Sequence, residues 1–288
     1  MTHCLDSTIP MLIRVAHSPD SDDAFMFYAL ASGQIDTGAL EYVHELQDIE
    51  SLNRRALKGE LEVTAVSIHA YAYLADRYAL LSSGCSMGDG YGPRLVSKAP
   101  RPADPRTALA GTRIAIPGTM TTAYLSLRLY QPDFEPVVMP FDQIEEAVQA
   151  GEVPVGLLIH EGQLTYADQG LHLWDDMGAW WLADTGLPLP LGGNVVRRDL
   201  GPVLMAQVAR DLKASIEFSL ANRQNALAHA KQFNRGISDE RTDTFVGMYV
   251  NHWTVDYGDR GREAVRLLLA RGQQAGIIPH QVDVQFIG

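Results

Sequence analysis

The residue whose type and position most suggest proton-transfer chemistry is His160. It ends the apolar run VGLLIH and is followed by Glu161 and Gly162. In open parallel sheets, ligands bind outside the carboxyl ends of the strands. An imidazole there, with an ordinary pKa of about 6.5, can act as a general base near neutral pH. We therefore treat His160 as a candidate base, and the alternative is a hydrogen-bonded structural histidine at a strand end.

A candidate anion pocket follows the predicted strand Thr112–Pro117. Gly118 forms a turn, and Thr121 and Thr122 open the predicted helix Thr121–Tyr130. Free backbone N–H groups at a helix start, together with the two hydroxyls, can bind a carboxylate or a phosphate. The same threonines would equally serve as a simple N-cap. Both interpretations remain open at this point.

Two further polar stretches end predicted strands. Ser67 closes the predicted strand Glu62–Ser67 and opens the next helix, so a capping role and a ligand contact compete there. The loop HSPDSDD (residues 17–23) follows the predicted strand Leu12–Ala16, and its acids suit a helix start. The convergence of such loops on one cleft favours a binding site more strongly than any single loop does.

Other chemistries lack their motifs. The glycine-rich run Ser82–Gly92 is not followed by Gly-Lys-Ser/Thr, so we interpret it as a hinge or tight turn rather than a phosphate cradle. Nine histidines are scattered without the spacing of metal ligands. No Gly-x-Ser-x-Gly elbow is present. We expect neither a metal nor an organic cofactor.

Composition limits the partners. The 288 residues include 23 basic and 35 acidic side chains, for a net charge of −12. Such a chain repels phosphate backbones and anionic lipid, so we expect neither nucleic acid nor a membrane surface as a partner. The two cysteines, Cys4 and Cys85, cannot form a disulfide framework. The N-terminus lacks a basic and apolar leader, so we expect a cytoplasmic protein, and the oligomeric state stays open.

Strand–helix alternation predicts an α/β fold with parallel pairing. The pattern breaks at the Gly- and Pro-rich residues 82–105, restarts, and breaks again at Thr185–Gly193, after which the chain reads as helices that pack back on the first block. We predict lobe I from residues 1–106 with 199–288, lobe II from residues 107–198, and a small-molecule cleft between them.

The sequence resembles 1,4-dihydroxy-6-naphthoate synthase of the futalosine route of menaquinone biosynthesis. The likeness runs in order from about residue 12 to past residue 255 and is carried by the segments SPDSDDAF (18–25), TTAY (121–124), GLLIHE (156–161), GAWW (178–181), GLPLPLG (186–192) and RRDLG (197–201). It implies a two-lobe fold of the periplasmic-binding-protein type (type 2). It also implies a carbon–carbon lyase that converts cyclic dehypoxanthinyl futalosine to 1,4-dihydroxy-6-naphthoate without metal or cofactor.

The resemblance also implies roles for individual residues. His160 corresponds to the family's proton acceptor, and Ala65-Val66-Ser67 and Thr122-Ala123 correspond to its substrate contacts. We add Thr121, and expect the Thr121–Thr122 helix start to hold a substrate carboxylate. The family often has a lysine at the position of Ala65. Two alternatives remain: an intracellular binding protein for an aromatic carboxylate, and the related chorismate dehydratase of the same pathway.

Overall fold

The computed structural model describes residues 11–233 and 238–288. The N-terminal residues on which the leader prediction rests, including Cys4, lie outside these ranges. Within them, Cys85 is buried and unpaired, and its thiol donates to the carbonyl of Trp253. No helix of the described ranges combines the length and the apolar character needed to cross a bilayer.

The strands of the described residues form two sheets. In chain order they are β1 (Met11–His17), β2 (Leu40–Leu46), β3 (Val63–Ser67), β4 (Tyr78–Leu81), β5 (Ser86–Gly88), β6 (Arg94–Ser97), β7 (Arg113–Ile116), β8 (Glu135–Val138), β9 (Val155–Leu158), β10 (His172–Asp176), β11 (Leu189–Arg197) and β12 (Phe286–Ile287).

The α-helices cover both sheets. In chain order they are α1 (Ser21–Met26), α2 (Tyr28–Ala31), α3 (Ile49–Lys58), α4 (Ile68–Tyr71), α5 (Pro105–Ala108), α6 (Thr122–Tyr130), α7 (Ile144–Ala150), α8 (Gly162–Thr165), α9 (Met177–Thr185), α10 (Gly201–Ala221), α11 (Arg223–Ala230), α12 (Asp239–Tyr249), α13 (His252–Val255) and α14 (Gly258–Gln274).

Local sequence signals explain several of these boundaries. Helix α3 has a sequence signal at each of its ends. Asp48 caps it by accepting the Ser51 N–H, and Gly59 ends it in the left-handed region with a φ of 72°. The segment after the acidic loop forms two short helices, α1 and α2, which meet at Phe27.

The first sheet has the strand order β12-β4-β11-β3-β1-β2, with β5 paired to β11. Strand β1 pairs in parallel with β2 and β3, as the strand–helix alternation predicts. Strand β11 lies antiparallel between β3 and β4, and its register places Gly192 opposite Ser67 and Asn194 opposite Ala65. A late segment of the chain therefore completes the centre of this sheet.

The second sheet has the order β10-β6-β9-β7-β8. The chain passes between the two sheets at positions other than the predicted boundaries 106/107 and 198/199. Strand β6 belongs to this sheet, so the chain crosses between Gly88 and Arg94. Strand β11 belongs to the first sheet, so the return lies between Asp176 and Leu189. The prolines and glycines of TGLPLPLGG concealed the beginning of β11, and the four residues of β6 are too few to show a period.

The C-terminal helices pack on the first sheet, which confirms the predicted return of the helical segment. One buried apolar cluster joins Ile13 and Val15 of β1 with Leu212 and Ile216 of α10 and Val246 of α12. A second cluster spans both sheets, since it includes Val195 of β11, Leu157 of β9, Leu125 of α6 and Leu268 of α14. The two lobes therefore share a continuous apolar contact.

Glycines let two backbones touch where the chain crosses between the sheets. A Cβ on Gly178 would lie 1.9 Å from the carbonyl oxygen of Tyr91, and a Cβ on Gly88 would lie 2.1 Å from the same atom. Gly90, between them in sequence, has a φ of 83°. The tight-turn interpretation of the glycine-rich run is confirmed, because only glycine permits this approach and this dihedral angle.

Candidate active site

A cleft between the two sheets holds about 810 Å³ of space free of protein atoms, counting the part open to solvent. This lies within the usual range for small-molecule sites, roughly 300–1,000 Å³. All six predicted binding residues line it: Ala65, Val66, Ser67, Thr121, Thr122 and Ala123. The other lining residues are Ser18, Asp20, Asp22, Asp23, Ile49, Gly84, Ser86, Pro93, Ile159, Gln163, Leu191, Gly192, Gly193, Asn194, Phe245 and Tyr249.

Ser67 ends β3 with its side chain in the cleft wall. It occupies the N-cap position of α4, but its hydroxyl makes no capping hydrogen bond, so the capping interpretation is wrong. Instead the hydroxyl oxygen accepts from the Nδ2 of Asn53 at 3.1 Å, and the Ser67 N–H donates to the Oδ1 of Asn53 at 2.9 Å. Because the hydroxyl accepts from Asn53, its proton remains available to a ligand in the cleft.

The start of α6 carries two kinds of polar group. The hydroxyl of Thr121 caps the helix by accepting the Tyr124 N–H at 3.2 Å, which confirms the capping interpretation. The Thr122 hydroxyl donates to the Leu191 carbonyl at 2.6 Å. Within the described residues, the backbone N–H groups of Thr122 and Ala123 make no hydrogen bond. The anion-binding capacity of this helix start therefore resides in these two amides rather than in the hydroxyls.

Asn194 lies in the same cleft, opposite Ala65 in the β3–β11 pairing. Its Nδ2 donates to the Gly84 carbonyl at 2.8 Å, and its buried Oδ1 has no hydrogen-bond partner among the described residues. Ala65 and Val66 are themselves buried apolar residues of β3. They offer the cleft an apolar surface and backbone atoms rather than a charge.

His160 lies two residues beyond the end of β9, as predicted, and is 7% exposed. Its neighbours Ile159 and Gln163 line the cleft, whereas the imidazole is not itself among the lining side chains. The ring packs edge-on against Phe141, with 5.0 Å between centroids. Its Nδ1 accepts the Gly162 N–H at 3.1 Å. Since a backbone N–H can only donate, the neutral ring carries its lone pair on Nδ1 and its proton on Nε2.

Carboxyl groups from the loop after β1 line the first-lobe wall. Asp20 stands at the N-cap of α1, yet its side chain makes no capping bond; it accepts the Ser18 hydroxyl at 2.6 Å. Asp23 accepts the Ser18 N–H at 2.7 Å, and burial raises its pKa to about 7. Burial, and then the nearby carboxylates of Asp23, Asp20 and Glu161, raise the pKa of Asp22 well above its usual value. Near neutral pH this wall can therefore present protonated carboxyl groups.

Hydrogen bonds cross the cleft and hold the lobes together. The Ser21 hydroxyl donates to Oε1 of Glu161 at 3.2 Å, next to the candidate base. The Tyr249 hydroxyl donates to Oε1 of Gln163 at 2.7 Å. A third contact is the bond from Thr122 to the first-lobe strand β11 described above. The structure therefore shows the cleft in a closed form.

Metal ligands are not grouped in the part of the chain that the structure describes. There, no cluster of three or more His, Cys, Asp and Glu side chains is arranged to hold a metal ion. Both His69 and His160 use a ring nitrogen in contacts, to Thr121 and Gly162 respectively.

Sequence reasoning missed four residues of this site. Asn53, Gln163, Asn194 and Tyr249 line the cleft or hold residues that do. Asn53 and Tyr249 lie on helices away from the strand ends, whereas Gln163 lies on α8, just after β9, and Asn194 lies on β11. Asn53 did carry a signal: it is a fully buried polar residue on the apolar face of α3, and such a side chain needs a hydrogen-bonding partner.

The sequence of the chain is similar to known proteins over most of its length. Residues 13–274 match the family model described as menaquinone biosynthesis. A relative from Thermus thermophilus is 42% identical over 266 residues, which span 92% of this chain and 95% of the relative. One from Streptomyces coelicolor is 38% identical over 277 residues, which span 93% and 95%. Both bear the name 1,4-dihydroxy-6-naphtoate synthase.

Solved structures show the same architecture. A crystal structure of a protein from Archaeoglobus fulgidus is 48% identical, with a TM-score of 0.88, and the match covers 92% of this chain and 98% of that one. The alkanesulfonate-binding protein of Xanthomonas axonopodis is 10% identical, with a TM-score of 0.69 and coverage of 96% and 97%. The second likeness concerns the fold alone, and it confirms the predicted periplasmic-binding-protein type. By its sequence and its fold, the chain belongs to the menaquinone biosynthesis family.

Proposed function

We propose that the chain is a 1,4-dihydroxy-6-naphthoate synthase, a carbon–carbon lyase that acts on cyclic dehypoxanthinyl futalosine in the cytoplasm. The names of the two relatives support this proposal, because each aligns over 95% of its length. One structural observation carries it: a single cleft joins the Ser67 hydroxyl of one lobe to the free amides of Thr122 and Ala123 of the other. Ile159 and Gln163, which lie close to His160 in sequence, line the same cleft. A carboxylate-bearing small molecule would bridge these groups.

The binding step uses groups that the protein leaves unpaired. The N–H groups of Thr122 and Ala123 point along the start of a nine-residue helix and would donate to the substrate carboxylate. The Ser67 hydroxyl would donate its proton to a substrate hydroxyl or ring oxygen. Because Asn53 fixes that hydroxyl, little rotational freedom remains to be lost on binding.

In the chemical step, His160 accepts the proton that the substrate loses. Its lone pair is on Nδ1, so this nitrogen accepts the proton whose removal starts carbon–carbon cleavage, and it gives up the Gly162 N–H as it does so. A positioned base of this kind supplies about 10²–10⁴ in rate. Closure of the lobes adds orientation and excludes water.

The substitution His160→Asn tests this assignment. The Oδ1 of asparagine can take the place of Nδ1 and keep the Gly162 N–H bonded, but it cannot accept a proton near neutral pH. We expect kcat to fall at least a hundredfold while the Kd for the substrate stays within about threefold. His172→Asn, at an exposed histidine of the same lobe, is the matched control. Near-full activity of His160→Asn would show that another group removes the proton.

Assays of turnover and binding distinguish the proposed synthase from the two alternative functions. Conversion of cyclic dehypoxanthinyl futalosine, followed by product absorbance, identifies the enzyme. Tight binding of an aromatic carboxylate without turnover would identify a binding protein instead. Consumption of chorismate would identify the related dehydratase.

A further inference from the structure

A second cavity lies beside α4 and α6, and no residue that lines it also lines the cleft. It holds about 960 Å³ of space free of protein atoms, counting the part open to solvent. Its walls come from α4 and the residues after it, from the start and body of α6, and from the turn after α14. His69, Tyr73, Tyr124 and Arg128 are among the residues that line it.

His69 gives this wall a buried acceptor without a donor. The residue is 2% exposed, and its Nδ1 lies 3.3 Å from the Thr121 carbonyl, an atom that can only accept. Nδ1 therefore carries the proton and Nε2 the lone pair, and Nε2 has no hydrogen-bond partner among the described residues. Burial lowers the pKa of His69 to about 4, which keeps the ring neutral. Leaving such a buried acceptor unpaired is unfavourable, so a ligand that donates to it would gain affinity.

Arg128 gives the same cavity an unneutralised cation. Its Nε donates to the Tyr124 hydroxyl at 3.1 Å and its Nη1 to the Pro132 carbonyl at 2.5 Å. Both of these partners are neutral, although the chain has a net charge of −12. The two fixed bonds hold the guanidinium in place and leave the Nη2 protons free for an anion.

Aromatic side chains lie between these two polar groups. The His69 ring is stacked with the Tyr124 ring at a centroid distance of 6.3 Å, and Tyr73 packs edge-on against His69 at 5.9 Å. The Arg128 guanidinium lies 5.6 Å from the centroid of Tyr124. The wall is therefore aromatic, with a hydrogen-bond acceptor on one residue and a cation on another.

We propose that this second cavity binds a planar aromatic carboxylate that also carries a hydroxyl group. The carboxylate would pair with Arg128, the ring system would pack on Tyr73 and Tyr124, and the hydroxyl would donate to Nε2 of His69. The inference goes beyond the proposed function and does not depend on which reaction the cleft performs, although the product of the proposed reaction has this chemistry.

The test uses the full chain and two fluorescent probes, 6-hydroxy-2-naphthoate and its 6-methoxy analogue, titrated by calorimetry. The methoxy probe keeps the ring and the carboxylate but has no proton to donate. We expect Arg128→Gln to weaken binding of the hydroxy probe at least tenfold. The matched control is Arg113→Gln, an exposed arginine of the same lobe, which should bind within twofold of the wild type.

The two probes isolate the role of His69. The wild type should bind the hydroxy probe at least fivefold more tightly than the methoxy probe, and His69→Phe should bind both equally. Ser67→Ala, which alters only the cleft, should leave this binding event unchanged, and Arg128→Gln should keep the turnover of the cleft. If Arg128→Gln and His69→Phe bind both probes as the wild type does, or if Ser67→Ala alone abolishes binding, the second site is overturned while the proposed function stands.

Discussion

Asn53 holds Ser67 through both of its amide atoms. Its oxygen accepts the Ser67 N–H at 2.9 Å, and its nitrogen donates to the Ser67 hydroxyl at 3.1 Å. Both residues are buried, and Asn53 belongs to α3 while Ser67 ends β3. The helix thereby sets the direction in which the serine can donate, which is toward the cleft.

Asn53→Asp should misdirect that hydroxyl. The carboxylate can still accept the Ser67 N–H, but its second oxygen now accepts where the amide donated, so the serine proton turns toward it. We expect substrate affinity to fall about tenfold, the value of one hydrogen bond of roughly 1.4 kcal/mol. Calorimetric titration gives the Kd. In the double variant with Ser67→Ala the losses should not add, and strict additivity would show that Asn53 acts elsewhere.

Thr122→Val should weaken the closed form of the cleft. The valine has nearly the same shape but leaves the His69 N–H and the Leu191 carbonyl without the hydroxyl that now joins them. An unpaired buried group costs about 1–3 kcal/mol, so KM should rise at least fivefold. Thr122→Ser restores the hydroxyl and should stay within about twofold of the wild type. A serine variant as impaired as the valine variant would implicate the methyl group instead.

Asp23 should make stability depend on pH. Its pKa rises from 3.8 to about 7 on folding, so the folded state keeps a proton that the unfolded state loses in this range. The stability that the protonated carboxyl contributes is full below pH 4 and is lost as pH rises toward 7. Asp23→Asn can keep an acceptor for the Ser18 N–H and has no proton to lose. The free energy of unfolding of the wild type should therefore fall relative to the variant by up to about 4 kcal/mol between pH 4 and 8.

Chemical denaturation at several pH values measures that difference. Asp20 and Asp22 are the neighbouring carboxyl groups and are present in both proteins, so the difference reports Asp23 together with its coupling to them. Parallel curves for the two proteins would mean that Asp23 is ionised in the folded state throughout.

Gly178→Ala should disturb the crossing between the sheets. The new methyl group would lie 1.9 Å from the Tyr91 carbonyl oxygen, so one backbone must move. We expect a loss of at least about 2 kcal/mol in the free energy of unfolding. Gly247→Ala, inside α12, meets only the end of the Arg223 side chain at 3.6 Å. That control should be neutral or stabilise by up to about 1 kcal/mol, and equal effects of the two variants would contradict the packing described here.

Several residues that line the cleft could be predicted because they stand at or just after the ends of strands. Ser67 ends a strand of the first sheet, and Thr122 follows a strand of the second. A polar residue at such a position is visible in the sequence. Their detailed roles could not be predicted. Which hydroxyl caps a helix depends on partners distant in sequence, such as Asn53 for Ser67 and Leu191 for Thr122.

Strand β11 is an element of the fold that could not be predicted from the sequence. Its nine residues include Pro190, Gly192 and Gly193, which lower any strand propensity. It is nevertheless a strand, because its neighbours β3 and β4 offer two unpaired edges that it satisfies. Pairing of this kind is a property of the assembled sheet and is not visible in the segment alone.

The place of β11 between β3 and β4 also fixes an order of events during synthesis. The second sheet is a single continuous stretch, complete once residue 176 has left the ribosome. The first sheet has a gap at its middle until residue 197 emerges, although its first strand was made at residue 11. The second sheet can therefore form before the first sheet is complete. Until then, the edges of β3 and β4 that β11 will occupy are exposed to pairing with other strands.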